Sequence, residues 1–200
     1  MNSLDDSGAV FNYHRNMAIL HGADNSLALG WLTRRDQQIR FEVLTGIAEL
    51  KGKTVLDAGC GYADLLDFLL PDNTPAHYYG VEQIPELIDE AKNRCRHFKN
   101  VSFIERNFST ANLPVTDYVF ASGSLNYRST DPGYVLKAIT KLFECCRLGL
   151  AFNLLKHVSH PGLLVAYQPE IILAHCRTLS TKVIFTDGYA DEDFTIWMYR

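Results

Sequence analysis

The stretch Val55-Leu-Asp-Ala-Gly-Cys-Gly61 decides the fold. A short apolar run, Thr54 to Leu56, meets an acid at Asp57 and then a Gly-x-Gly turn. Residues Tyr62 to Leu70 follow with helical periodicity until Pro71 stops them. A strand that passes through a glycine turn into a helix brings bare backbone to the carboxyl end of a sheet, where a ligand can approach it. The acids then sort the ligand. A dinucleotide fingerprint needs glycine at the third position of Gly-x-Gly-x-x-Gly. Asp64 holds that position, and its carboxylate would repel a pyrophosphate. Asp57, directly before the turn, favours a cationic group.

Outward from this loop the chain alternates. His77–Val81, Val101–Ile104, Val115–Ala121 and Leu148–Leu155 are β-rich runs. Helix-period stretches lie between them: Pro85 to Arg96, with Ile84, Ile88, Ala91 and Cys95 on one face, and a helix opened by Asp131-Pro132, with Val135, Ile139, Leu142 and Phe143 on its face. Pro169 to Leu179 is a further helix. Strand–helix alternation implies right-handed crossovers and a parallel sheet. Lys182–Phe185 and Phe194–Tyr199 break the pattern: the eight residues Thr186 to Asp193 are too few for a crossover helix, so the pair is expected as an antiparallel hairpin. The expected fold is α/β, a three-layer sandwich around a mostly parallel seven-stranded sheet that ends in this hairpin. Residues 1–50 precede it as a helical extension, with Asp36 to Leu50 packed on the sheet and residues 11–30 a less regular helix. The expected division is therefore 1–50, an extension acting as a lid that orders on ligand binding, and 51–200, the core.

Composition narrows the function. With 47% hydrophobic residues in 200, the chain can fill one core and is not a disordered protein. Nineteen basic against twenty-three acidic residues leave −4, which disfavours a general nucleic-acid or membrane-surface coat. The first ten residues carry acids where a secretory signal needs a basic and then an apolar segment, and no apolar run approaches the ~18 residues a membrane span requires. Cys60, Cys95, Cys145, Cys146 and Cys176 form neither CxxC nor an even set, so reduced thiols in a cytoplasmic protein are expected. No histidine spacing supports a metal: His157, His160 and His175 suit zinc only by residue type.

From about Lys53 onward the chain resembles the class I S-adenosylmethionine-dependent methyltransferases, whose first motif reads hydrophobic-Asp-x-Gly-x-Gly. The resemblance implies S-adenosyl-L-methionine as cofactor and S-adenosyl-L-homocysteine as product. It implies that the loop through Asp57, Ala58, Gly59 and Gly61 cradles the methionine part, with Asp57 near its ammonium group. Ala63 stands where the family often has another glycine. Glu82, twenty-five residues after Asp57, has two oxygens for two ribose hydroxyls, and Gln83 would lie beside the adenosine. Asn107 replaces the family's usual Asp as acceptor from the adenine amino group, and Phe108 would cover the ring. Ala121 and Ser122, within Asp117–Asn126, would flank the methionine portion and the methyl group. Arg40 could hold the cofactor carboxylate with a bidentate bond.

The acceptor is less marked. The Asn/Asp-Pro-Pro-Tyr/Phe motif of amino-directed methylases is missing, and no residue pattern announces a base. Candidate substrate contacts are Tyr13, His14, Arg15 and Trp31 in the extension, Asn126 after the fourth strand, and Lys156 and His157 after the fifth. The acidic balance points to a small-molecule acceptor and no nucleic acid. The alternatives are an RNA or protein methyltransferase, with Arg94, Arg96, Lys99 and Arg106 as a local basic groove, or a non-catalytic cofactor-binding partner. Oligomeric state is not encoded in any of these features.

Overall fold

A computed structural model describes residues 4–21, 33–158 and 162–200. Seven strands form one sheet: β1 (Thr54–Ala58), β2 (His77–Glu82), β3 (Val101–Glu105), β4 (Thr116–Ala121), β5 (Cys146–Leu155), β6 (Lys182–Asp187) and β7 (Asp193–Tyr199). Their spatial order is β3-β2-β1-β4-β5-β7-β6. The first five pair in parallel, and β7 lies antiparallel to both β5 and β6. This is the expected sheet and terminal hairpin. The hairpin is tighter than expected, because Asp187 pairs with Phe194 and only residues 188–193 lie between them.

Six helices surround the sheet: α1 (Leu4–His21), α2 (Arg34–Thr45), α3 (Asp64–Leu69), α4 (Pro85–Cys95), α5 (Tyr134–Glu144) and α6 (Pro169–Leu179). Several helix ends differ from the sequence reading. The first core helix begins at Asp64 rather than Tyr62, since residues 60–63 form the turn; it ends before Leu70, which is extended (ψ 146°) as the residue preceding a proline must be. Asp131-Pro132 does not open α5 directly. The Asp131 carboxylate accepts from the Gly133 N–H at 2.9 Å, and the helix starts one residue later. Helix α2 stops at Thr45 rather than Leu50.

Side-chain alternation along the central strands builds two cores. Leu56 and Ala58 of β1, Val119 and Ala121 of β4, and Leu150, Phe152 and Leu154 of β5 join the cluster under α5 and α6. Val55, Tyr118, Phe120 and Ala151 face the other way, into the cluster of α2, α3 and α4 with Phe41, Leu44, Ile47 and Leu50. Burial on both faces is why these strands read as nearly continuous apolar runs. Trp197 Nε1 donates to the Val43 carbonyl at 3.1 Å and Tyr199 Oη to the Ile47 carbonyl at 3.0 Å, so β7 anchors the segment around α2.

The sheet order reverses between β1 and β4. Ligands bind such sheets beyond the carboxyl ends of the strands at that reversal, and the Gly59–Gly61 turn leaves β1 there.

Candidate active site

A cavity of about 1720 Å³ opens at this point. The β1–α3 turn forms its floor. Gly59 has φ +82°, and a Cβ there would meet Ser124 Cβ at 2.4 Å, so neither the conformation nor the space admits another residue. The turn is tied down from two strands: Gly59 and Cys60 donate their N–H groups to the Val81 carbonyl at 2.8 and 3.1 Å, and Ser124 Oγ donates to the Ala58 carbonyl at 2.6 Å. Ala63 is left-handed at φ +65°, the one non-glycine so placed among the described residues. Its methyl is fully buried.

Two buried acids stand at the strand ends. Glu82 (7% exposed) accepts from Gln83 N–H at 2.7 Å and Ile84 N–H at 3.0 Å through Oε1, and from Gly61 N–H at 3.2 Å through Oε2. Burial raises its pKa, and these three donors oppose the rise. Asp57 (3% exposed) accepts from Tyr78 Oη at 2.6 Å. Burial pushes its pKa up to about 7; the Tyr78 bond lowers it, and the Glu82 and Asp64 charges add to the rise. A buried acid flanked by acids is an electrostatic deficit that a cationic ligand group would relieve. Asp64 also lines the cavity, but it is bridged on both sides: Gln37 Nε2 of α2 donates to it at 2.9 Å and Arg94 of α4 at 3.1 Å.

Of the sequence-predicted cofactor residues, Asp57, Gly59, Gly61, Glu82, Gln83, Asn107, Phe108, Ser122 and Arg40 all line this one cavity. Ala58 sits beneath it and contributes its carbonyl to Ser124, and Ala121 is fully buried in the core. Ser122 Oγ is buried without a hydrogen-bond partner, a polar atom in the cavity wall awaiting one. Two residues arrive differently from expectation. The Asn107 side-chain oxygen already accepts from Ser109 N–H (2.8 Å) and Ser109 Oγ (2.7 Å), filling both lone pairs that an adenine amino group would need. Arg40 is ion-paired through Nε with Asp193 and donates from Nη1 to the Asp36 carbonyl at 2.7 Å. A bidentate hold on a carboxylate would require it to leave that pair.

A further part of the lining comes from α1 and from segments far along the chain. Val10, Phe11, Tyr13 and His14 of α1 line the cavity, and His14 Nε2 lies 2.5 Å from Tyr127 Oη. Asn126 lines it too, its side-chain oxygen accepting from Leu155 N–H at 2.9 Å. His157 is an exposed lining residue, whereas Lys156 lies outside the lining and pairs with Asp187 at 3.7 Å. Trp31 and His160 fall outside the described residues. Tyr127, Ser124 and Asp193 were missed by sequence reasoning. Tyr127 alone carried a signal, following Asn126 directly at the mouth of β4.

Among the described residues no group of His, Cys, Asp and Glu is placed to hold a metal ion, and no helix is long and apolar enough to cross a membrane. A family model described as a methyltransferase domain matches residues 49–158, more than half of the chain. The chain belongs to the methyltransferase family. With its seven-stranded sheet it is a class I S-adenosylmethionine-dependent methyltransferase. A provisionally named methyltransferase of Mycobacterium tuberculosis is 29% identical over 154 residues, 72% of this chain and 90% of that protein. An uncharacterized RNA methyltransferase of Halalkalibacterium halodurans is 41% identical over 70 residues, but these are 34% of this chain and 14% of that one. Among solved structures, magnesium protoporphyrin IX methyltransferase from Synechocystis PCC 6803, crystallised with S-adenosylmethionine, superposes over 100% of both chains with a TM-score of 0.72 at 16% identity. N-methyltransferase NodS from Bradyrhizobium japonicum WM9 gives 0.65 at 14% identity, over 83% of this chain and 95% of that one. These structural likenesses concern the fold.

Proposed function

We propose that this methyltransferase acts on a small-molecule acceptor, held between the carboxyl edge of the sheet and α1. The observation that carries the reading is the wall formed by α1: Val10, Phe11, Tyr13 and His14 line the same cavity as the glycine turn, with Phe11 packed against Tyr62, Ile84 and Leu87. A wall there encloses a small molecule and excludes water, which in-line displacement requires.

The residues present fit the cofactor. The glycine turn lines the cavity with backbone, Asp57 and Glu82 supply carboxylates, and Ser122 Oγ is a buried polar atom in want of a partner. Asp57 would face the ammonium group, Glu82 and Gln83 the ribose and adenosine, and Phe108 the adenine ring, the Asn107 oxygen being held by Ser109. Bound S-adenosylmethionine supplies an electrophilic methyl carbon. The chain's own task is to hold that carbon and the acceptor in line. Helix α1 acts as the removable wall, and its ion pair to α4, Arg15 with Glu86 at 2.5 Å, is exposed enough to open.

An RNA-modifying reading draws on the Halalkalibacterium relative. Against it, Arg94 is engaged with Asp64 and Glu90, and Arg106 donates to the Glu105 carbonyl, so the expected basic groove is partly consumed by internal pairing. Methyl-tritiated S-adenosylmethionine incubated with the protein and fractionated cell extract tests the proposal. Label in the small-molecule fraction is expected; label confined to RNA or protein overturns it.

A further inference from the structure

We infer that Tyr127 and His14 are the proton-accepting pair of the transfer reaction, Tyr127 touching the acceptor and His14 taking the proton through it. This rests on the methyltransferase reading above. The two residues are 113 positions apart and come from α1 and the segment after β4, yet their side chains meet at 2.5 Å in the cavity wall. His14 is 5% exposed, its ring edge-on to Tyr127 at 5.5 Å and to Tyr13 at 5.1 Å. An enclosed imidazole bonded to an enclosed phenol on the acceptor side is more than packing requires.

Neither partner suffices alone. Burial raises the Tyr127 pKa well beyond its ordinary value, and the Glu82 and Tyr13 charges push it the same way. The hydroxyl therefore rests protonated and can take a proton only by passing its own onward. His14 Nε2 is the group placed to receive it. The step balances as follows. The acceptor's lone pair forms the bond to the methyl carbon while the carbon–sulfur bond breaks, leaving its electron pair on sulfur. The acceptor's proton moves to Tyr127 Oη, and the Tyr127 proton moves to His14 Nε2. The positive charge that began on sulfur ends on the imidazole. The titratable neighbours that act on Tyr127 are Glu82 and Tyr13, while Arg15, next to His14, is paired with Glu86.

This pair defines the acceptor by chemistry. A carboxylate has no proton to lose and would leave the pair idle. The acceptor is therefore a molecule whose nucleophile carries a hydrogen, a hydroxyl or an amine. Tyr127 is the catalytic residue, and His14, acting through it, is a positioning residue.

The test uses the full chain, tritiated S-adenosylmethionine, and whichever extract fraction the wild type labels. Tyr127→Phe and His14→Asn are each expected to slow transfer by about 100-fold or more, and the double variant no further than the worse single one. Affinity for S-adenosylhomocysteine should stay within about threefold. The acidic limb of the kcat/KM profile should flatten in both variants, and imidazole should restore part of the rate to His14→Ala. In the ligand-free protein, Tyr127→Phe should shift the NMR titration of the His14 ring. Transfer within about threefold of wild type in both variants, losses that multiply in the double, or an unchanged acidic limb would each overturn the inference. Should His14→Asn lose product affinity as well, Tyr127→Phe decides alone. Label in RNA or protein refutes the small-molecule reading separately, because the variants still report on the pair with that fraction.

Discussion

The two walls of the cavity are built by different means. On the cofactor side, the Gly59–Gly61 turn and Glu82 are held by backbone N–H groups and carbonyls of two neighbouring strands, over a span of about twenty-five residues. Elsewhere around the cavity, segments from the beginning, middle and end of the chain meet through side chains: His14 with Tyr127, Arg40 with Asp193, Arg15 with Glu86. Backbone pairing tolerates change in the side chains and fixes atoms tightly. Side-chain pairing can be rewritten one residue at a time and can open. A wall common to many acceptors suits the first, and a wall that differs between enzymes suits the second.

The hardest way to break the cofactor wall is Gly59→Val. A φ of +82° costs a β-branched residue about 2 kcal/mol or more, and the new side chain would also start inside Ser124. Loss of detectable S-adenosylhomocysteine binding by calorimetry is expected, with a fall in stability of about 3 kcal/mol or more in urea unfolding. Binding within tenfold of wild type would show that the turn can rebuild itself.

The acceptor wall has its own deep contact. Arg40 and Asp193 side chains are 11% and 3% exposed, and removing one partner of such a pair leaves an uncompensated charge at a cost of about 3 kcal/mol. Arg40→Met should lower the urea midpoint accordingly, and Asp193→Asn added to it should recover part of the loss. Additive losses would mean that the two side chains act separately.

How much was legible before the structure follows the same division. That Asp57, Gly59, Gly61 and Glu82 meet at one cavity was readable because a local motif and one fixed spacing specify them, and the sheet because alternation and burial leave a period in the chain. Asp193 was not readable, and Tyr127 only as the residue after Asn126: they matter through partners 153 and 113 residues away, and no local pattern encodes such a meeting. Arg40 and Asn107 show the limit within the motif itself. Their residue types suited the cofactor, but Asp193 and Ser109 engage them first.

Asp57 sharpens the comparison by pH. Its folded pKa of about 7 lies above the ordinary 3.8, so between these values the folded chain binds more protons than the unfolded one. Stability of the ligand-free protein should therefore fall as pH rises from about 4 to 7, with Glu82, also raised, acting in the same direction. Asp57→Asn removes much of that slope and should stabilise the ligand-free protein at pH 7 by about 2 kcal/mol. It should also weaken S-adenosylhomocysteine about tenfold, because a cationic group prefers the ionised acid; wild-type affinity should rise through pH 7. Equal stability and equal affinity in the variant would remove Asp57 from the site.

The smallest effect separates strength from function. The Arg15 and Glu86 side chains are 60% and 36% exposed, so water and salt screen their pair to a few tenths of a kcal/mol. Arg15→Ala should move the melting temperature by about 1 °C or less, with no change in urea midpoint at high salt. Yet this pair joins the N-terminal helix to α4 at the rim of the cavity. If α1 is the removable wall, a weak latch is what turnover needs, since acceptor and product must pass beneath it. Arg15→Ala should then speed protease cleavage within α1 more than it lowers stability, and bound S-adenosylhomocysteine should slow that cleavage. Cleavage that follows global stability alone would mean that α1 opens only when the whole chain unfolds.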